Sequence, residues 1–177
     1  MRLIFGLVSL LWLACPGFVN GQTFELHGSA GPTLVDRGYS LAAGGGLFAG
    51  RYVGVVFDVE RTHLVSRETI TPDSAWRFRG GTLTLASAQL RVVPLGRDRI
   101  GPYGLVGFAA GESRPNVNEA FPNTVTNDVR AVFFGGGLQV PVRERFSLFA
   151  DGRMMLGAER GELLAVAPIR AGVAWRF

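Results

Sequence analysis

The sequence has almost no cysteine and no lysine. Its single cysteine is Cys15, near the N-terminus, so the rest of the chain can form neither a disulfide nor a cysteine metal site. All 18 basic residues are arginine, and they are interspersed with 14 acidic residues, as in Asp36–Arg37 and Arg97–Arg99. A nucleic-acid partner requires clustered positive charge, so we expect none and predict that these charges lie in solvated turns.

Long hydrophobic runs are also missing beyond the first residues. The apolar run Leu3–Ala14 is shorter than the roughly 20 residues of a spanning helix. It follows a basic start, and the small residue Gly21 lies a few positions after it, which is typical of a cleaved secretory signal. We therefore predict a signal peptide over residues 1–21 and a mature domain over 22–177. The alternative is a lipoprotein acylated at Cys15, although Trp12 and Leu13 are bulkier than a lipidation motif prefers.

The mature chain is instead a series of short apolar segments. Hydrophobic residues make up 47% and charged residues 18% of the chain, and 25 glycines and 13 phenylalanines favour strands and turns over helices. About eight segments of roughly ten residues follow one another, the length that a tilted strand needs to cross a bilayer. The predicted strands are Phe24–Pro32, Tyr39–Ala49, Tyr52–Thr62, Arg79–Val93, Pro102–Gly111, Val129–Val140, Phe146–Met155 and Leu163–Phe177.

Alternation within these segments separates two faces. In the third strand, the odd-numbered residues Val53–Val59 are apolar, while Asp58 and Glu60 lie on the opposite face. The seventh strand likewise places Asp151 and Arg153 on one face, and the eighth strand does the same with Arg170 and Arg176. One apolar and one polar face is what a strand between lipid and a barrel lumen requires.

The links between the segments alternate in length. Short links occur at Gly50–Arg51 and Pro141–Arg145, and long polar links occur at His63–Phe78 and Glu112–Asp128. Outer-membrane barrels have short periplasmic turns and longer external loops. The sequence therefore predicts an all-β fold, a closed antiparallel transmembrane barrel of about eight up-and-down strands, integral to the outer membrane, with both mature termini periplasmic.

A set of charged residues is predicted to face the lumen. An eight-stranded barrel has just enough interior for its own side chains, so charges of both signs are expected to neutralise one another there. A conducting pore is the alternative. The predicted lumenal charges are Glu25, Asp58, Glu60, Arg91, Asp151, Arg153, Arg170 and Arg176.

The C-terminal residues resemble a known export signal. Val173, Trp175 and Phe177 alternate along a strand that ends in an aromatic residue, and this resembles the C-terminal β-signal of bacterial outer-membrane proteins. The resemblance implies recognition by the barrel-assembly machinery. Together with Gly101–Gly104, the pattern is similar to small opacity-type or OmpA-type barrel domains, without the peptidoglycan-binding domain of longer relatives.

The chain contains two histidines. His27 and Ser29 share a strand face, and some lipid A deacylases pair a histidine with a serine at this spacing, so the two are weak catalytic candidates. His63 is interpreted as a solvated loop residue. The histidines have no recognisable metal spacing, and we expect neither a metal nor another cofactor.

A non-enzymatic role is therefore expected. The two long loops would serve a structural or surface-interaction function, with outer-membrane lipid and lipopolysaccharide as surroundings. The alternatives are a lipid A or phospholipid acyl-modifying enzyme, a small pore and a soluble lipocalin-like barrel. The lipocalin alternative lacks the expected Gly-x-Trp signature in the first strand.

Overall fold

The computed structural model describes residues 22–34, 38–65, 67–71, 74–78, 80–116, 126–159 and 162–177. The predicted signal peptide lies outside the described residues. No helix in the described part of the chain is both long and apolar enough to cross a membrane.

Eleven β-strands make up the described part of the chain. Most are twelve or more residues long, and inward and outward side chains alternate along them as in the predicted segments. The strands are β1 (Gln22–Thr33), β2 (Gly38–Ala49), β3 (Val53–Leu64), β4 (Arg67–Thr71), β5 (Ser74–Phe78), β6 (Gly81–Val92), β7 (Gly101–Pro115), β8 (Asn127–Arg143), β9 (Phe146–Glu159), β10 (Glu162–Val166) and β11 (Ile169–Arg176).

The main sheet closes on itself. Neighbouring strands pair in the order β1-β2-β3-β6-β7-β8-β9, and β9 then pairs with both β10 and β11. Strand β11 returns to β1 through an antiparallel register from Glu25↔Arg176 to Ala30↔Ala171. Since β10 and β11 are two parts of one barrel strand, the predicted closed antiparallel barrel of eight strands is confirmed.

The two ends of the barrel differ. The first strand begins and the last strand ends at the same end of the barrel as three short turns, which lie at Gly50–Tyr52, Val93–Ile100 and Glu144–Arg145. We call this the short-turn end. At the opposite end, the longer links join β3 to β6 and β7 to β8. We call this the long-loop end.

The long-loop end contains more ordered structure than the sequence predicted. The predicted loop His63–Phe78 was wrong in part, because β3 continues to Leu64 and the link beyond it holds the separate hairpin β4–β5. The strands β7, β8 and β9 also run further than predicted, because their cross-strand hydrogen bonds continue beyond the predicted ends.

Two irregularities interrupt the barrel wall. The predicted single strand Leu163–Phe177 is broken at Ala167 and Pro168, because proline has no backbone N–H for the ladder. Near the short-turn end, the β8–β9 register shifts between Pro141 and Arg143. Such bulges redirect the side chains that follow them.

Two glycine triplets, Gly44–Gly46 and Gly135–Gly137, provide space for lumenal carboxylates. Gly44 lies directly across from Asp58, and Gly137 lies across from Asp151. A Cβ atom at either glycine would collide with the opposite strand and with the aspartate. These glycines therefore accommodate the polar lumen.

Candidate functional site

Charged side chains fill the lumen in two groups. Four carboxylates and five guanidinium groups are buried there, and all eight charges that alternation assigned to the lumen are among them. The buried charged residues are Glu25, Asp58, Glu60, Asp151, Arg91, Arg97, Arg153, Arg170 and Arg176.

The first group, the Glu25 cluster, lies near the short-turn end and comprises Glu25, Arg91, Arg97 and Arg176. Arg91 Nη1 donates to Glu25 Oε1 at 3.1 Å, and Arg97 Nη2 donates to Glu25 Oε2. Arg176 Nε lies 3.9 Å from the same carboxylate. One buried carboxylate therefore neutralises part of the charge of three arginines.

Arg97 reaches this cluster from a turn. Its guanidinium lies 3.5 Å from the centroid of the Phe48 ring, and its carbonyl oxygen accepts hydrogen bonds from Gln139 Nε2 at 2.7 Å and Arg176 Nη2 at 2.5 Å. Burial lowers the pKa of the Arg97 guanidinium, and the Glu25 carboxylate opposes that shift. The prediction that Arg97 lies in a solvated turn was wrong, because the turn folds into the barrel mouth.

The second group, the Asp58–Asp151 cluster, lies in the middle of the barrel. Asp58 Oδ1 is 2.5 Å from His27 Nε2, while its Oδ2 accepts from Gln89 Nε2 and Arg153 Nη2, both at 3.0 Å. Arg153 Nε also lies 3.6 Å from Asp151 Oδ1. Asp58, on β3, therefore links its own strand to β1, β6 and β9.

Arg170 joins the remaining carboxylates of this cluster. It donates to both oxygens of Asp151, with Nη2 at 3.1 and 3.2 Å, and its Nη1 donates to Glu60 Oε2 at 3.1 Å. Glu60 also accepts from Ser40 Oγ at 2.6 Å, and Asp151 accepts from the Tyr103 hydroxyl at 3.0 Å. Buried ion pairs of this kind stabilise only when their remaining hydrogen-bonding groups are satisfied.

Toward the long-loop end, a group of apolar side chains enters the lumen beside the buried polar residues Ser40, Thr62 and Asn127. Side chains from β3, β6, β7, β8, β9 and β10 pack together there and fill the space above the charges. We call this group the apolar plug, and it comprises Leu64, Leu83, Leu85, Ala109, Val129, Phe133, Met155 and Val166.

The outer face of the barrel is apolar and exposed. Phe108, Val132 and Leu138 are 64%, 62% and 58% exposed, far more than large apolar side chains on a face in water normally are. Every barrel strand contributes to this belt. Other exposed members are Phe24, Leu26, Leu41, Leu47, Val55, Phe57, Val59, Leu90, Val106, Phe134, Val140, Leu148, Leu156, Ile169, Val173 and Trp175.

Charged residues mark both limits of this belt. Along β3 the outward row is uncharged between Arg51 and Arg61, a span close to the nine to eleven residues that a tilted strand needs to cross a bilayer. At the long-loop end, Glu112 and Arg114 form an exposed pair at 3.4 Å. On β8, the outward Asp128 and Arg130 lie across from Glu112 and Ala110, so charge marks the same end of the belt there.

Solved structures with the same architecture were found. The N-terminal β-barrel domain of Pseudomonas aeruginosa OprF aligns with a TM-score of 0.60 at 17% identity, over 89% of this chain and 98% of that one. Neisserial surface protein A, NspA, aligns with a TM-score of 0.62 at 12% identity, over 88% and 96% of the chains. Ail of Yersinia pestis, in complex with the heparin analogue sucrose octasulfate, gives 0.54 at 18% identity, over 89% and 99%.

The chain has the fold of the small outer-membrane β-barrels. No family model and no curated protein sequence matches it. At these identities, the outer-membrane-barrel fold is what the comparisons establish.

The weak catalytic candidates face the lumen of this outer-membrane-barrel fold. His27 and Ser29 are buried, and the His27 ring contacts Asp58 and stands edge-on to Phe149 with centroids 6.1 Å apart. The apolar belt lies on the other side of the wall. An acyl chain in the belt would therefore not meet these two side chains.

The residues of the predicted assembly signal lie on the outer face. Val173, Trp175 and Phe177 are exposed, and Trp175 stands edge-on to Phe146 with centroids 6.3 Å apart. Phe177 packs against Phe24 at 5.9 Å. Aromatic side chains thus cover part of the outer face at the short-turn end.

The prediction for His63 was wrong. It lies in β3, half-buried, and packs against Tyr39 with ring centroids 5.4 Å apart. Within the described ranges, no three histidine, cysteine or acidic side chains are grouped so that they could hold a metal ion.

Sequence reasoning missed several lumenal residues. Tyr103 and Gln89 have uncharged polar side chains that parity alone does not distinguish from packing residues. Parity along β6 and β7 would have placed both in the lumen, since they alternate with outward residues such as Leu90 and Val106. For Arg97, in a turn, no comparable signal exists.

Proposed function

We propose that this chain is an integral outer-membrane protein that has a structural or surface-interaction role and is not an enzyme. The observation that carries the proposal is the uncharged, exposed belt between Arg51 and Arg61 around a closed barrel. Because the closed sheet satisfies its own backbone groups, lipid can surround it without exposing an unpaired strand edge in the hydrocarbon.

The orientation follows from the two ends of the barrel. The short-turn end, with both termini of the mature chain, faces the periplasm, and the long-loop end faces outward. External partners would meet the links between β3 and β6 and between β7 and β8, while lipopolysaccharide surrounds the outer part of the belt. The barrel-assembly machinery would recognise Val173, Trp175 and Phe177 during export.

The filled lumen supports a non-conducting and non-catalytic barrel. The Glu25 cluster and the Asp58–Asp151 cluster occupy its lower and middle parts, and the apolar plug occupies the upper part. The burial of His27 and Ser29 disfavours the acyl-modifying alternative. These positions leave the outer surface and the loops as the regions available to partners.

Site-directed spin labelling tests the membrane assignment. The mature chain has no cysteine, so the single variants V55C, L148C and V173C can each be labelled in a refolded barrel in phospholipid vesicles. We expect the labels to be accessible to oxygen and protected from a water-soluble nickel reagent. R51C is the matched control at an exposed turn position and should show the reverse.

Gel migration with and without boiling checks that each variant is folded, and cell fractionation of the wild type locates the protein. A closed barrel should change its migration on heating, and the wild type should be enriched in the outer membrane. If all three belt labels were as accessible to the nickel reagent as the label at residue 51, the membrane assignment would be wrong.

A further inference from the structure

A groove lies on the outer side of the periplasmic turn between β8 and β9. It has a volume of about 580 Å³ and is lined by Val142, Arg143, Glu144, Arg145, Phe146 and Trp175. Because it combines an apolar wall with three charged side chains, it differs from the uncharged belt above it. We call it the turn groove.

The groove lies at the lower limit of the belt. Trp175 is the cross-strand partner of Phe146, and their rings are in edge-on contact. Tryptophan and other aromatic residues are typical of the membrane interface, where one end of the ring contacts hydrocarbon and the other contacts headgroups. The groove therefore lies at the depth of the headgroups of the periplasmic leaflet.

The bulge in β8 directs an arginine into this groove. Along β8, Gln139 faces the lumen, and strict alternation would turn Arg143 inward as well. The register shift after Pro141 instead pairs Arg143 with Phe146, and cross-strand partners share a face. Arg143 is consequently exposed on the outer side, together with Val142.

The charged side chains of the groove form no ion pairs with the described part of the protein. In the part of the chain that the structure describes, neither the Arg143 nor the Arg145 guanidinium is in an ion pair, although Arg51, in the turn between β2 and β3, pairs with Asp98 at 3.4 Å. The Glu144 carboxylate is likewise outside the ion pairs of the described residues. Two guanidinium groups and one carboxylate remain for a ligand.

We infer that the turn groove binds the headgroup of a phospholipid that carries both a phosphate and a primary amine. The guanidinium groups of Arg143 and Arg145 bind the phosphate, for which arginine has a suitable donor geometry. Glu144 accepts hydrogen bonds from the ammonium group, and the aromatic rings contact the glycerol and the first acyl carbons. This inference rests on the proposed membrane location and adds a specific lipid to it.

Native mass spectrometry of the detergent-solubilised barrel tests the site. The wild type is first equilibrated with equal amounts of phosphatidylethanolamine, phosphatidylglycerol and phosphatidylcholine of identical acyl chains. We expect it to retain phosphatidylethanolamine above the other two, because phosphatidylglycerol has no amine and the quaternary amine of phosphatidylcholine has no N–H donor.

The variants assign the roles of the charged residues. R143Q and R145Q should each lower retention of every phospholipid about five-fold, as expected for one basic side chain at a membrane surface. E144Q should retain as much lipid as the wild type, but lose the preference for phosphatidylethanolamine over phosphatidylglycerol. R51Q, which removes an exposed arginine from a different turn at the same end of the barrel, should behave as the wild type.

Each contrary result has a distinct meaning. Equal retention of the three lipids by the wild type, or unchanged retention in the R143Q/R145Q double variant, would overturn the inference. Displacement of the lipid by millimolar inorganic phosphate would identify free phosphate as the ligand and also overturn it. Failure of the wild type to show heat-modifiable migration would instead refute the membrane proposal, and this is measured before lipid is added.

Discussion

At the scale of single residues, Glu25 forms the buried ion pairs that stabilise the short-turn end. It is 1% exposed and contacts Arg91, Arg97 and Arg176, which come from a strand, a turn and the last strand of the barrel. Removal of one member of a buried ion pair leaves the others charged in a poorly solvated place.

We therefore expect E25Q to lower the free energy of unfolding by about 3 kcal/mol, the usual scale for breaking a buried pair. Urea titration of the refolded barrel, followed by tryptophan fluorescence, measures the change. E112Q is the matched control, since its pair with Arg114 is solvent-exposed and should contribute no more than about 1 kcal/mol. Equal midpoints for the two variants would contradict the stabilising role of Glu25.

The residue scale also shows what a sequence can and cannot locate. Asp58 and Arg153 could be placed in the lumen by parity, because neighbouring residues in a strand point to opposite faces. Their contact at 3.0 Å could not be foreseen, since it depends on how the strands tilt across the barrel. Arg97 was missed because a turn has no parity, and only its fold into the mouth brings it to Glu25.

At the scale of elements, strands and glycines fit together across the ladder. The Gly44–Gly46 triplet faces the strand that carries Asp58, and the Gly135–Gly137 triplet faces the strand that carries Asp151. Gly44 and Gly137 each remove a side chain where the aspartate on the opposite strand needs room. The eight strands were predictable from alternation, whereas the hairpin β4–β5 was not, because its short segments lie within a polar stretch.

The glycine pairing gives a prediction at this scale. G44A places a Cβ atom against the β3 backbone and Asp58, and we expect it to lower the free energy of unfolding by about 1–3 kcal/mol. G104A is the matched control, because a Cβ atom there has no neighbour within 4 Å, and it should be neutral or stabilising by up to about 1 kcal/mol.

Urea midpoints of the two refolded variants, measured side by side, distinguish a steric requirement from a general effect of glycine replacement. If G44A were as stable as G104A, the triplets would not be needed to accommodate the aspartates.

At the scale of the whole molecule, the lumen is blocked in two physically different ways. Water could enter the Glu25 cluster if its ion pairs opened, whereas the side chains of the apolar plug, although they lie beside Thr62, have no hydrogen-bonding groups of their own. Loss of one obstruction therefore leaves the other in place.

Planar-bilayer recordings test this double obstruction. We expect no stepwise conductance from the wild type and none from R97A, which removes the arginine that covers the short-turn mouth but leaves Leu85 and Phe133 in place. A general porin in the same bilayer provides the positive control. Regular conductance steps from the wild type would show that the lumen is open, and steps from R97A alone would show that the plug does not block ions.

The break at Pro168 divides the last wall strand into two parts that can fail separately. Below it, β11 is held on both sides, by β1 and by β9, whereas β10 above it is paired with β9 alone. If β10 separated from β9 at the long-loop end, the separation would thus stop at Pro168, where the hydrogen-bond ladder is interrupted. The seam between β1 and β11 lies below this break, so in the proposed membrane location the long loops would be able to change conformation without opening the barrel.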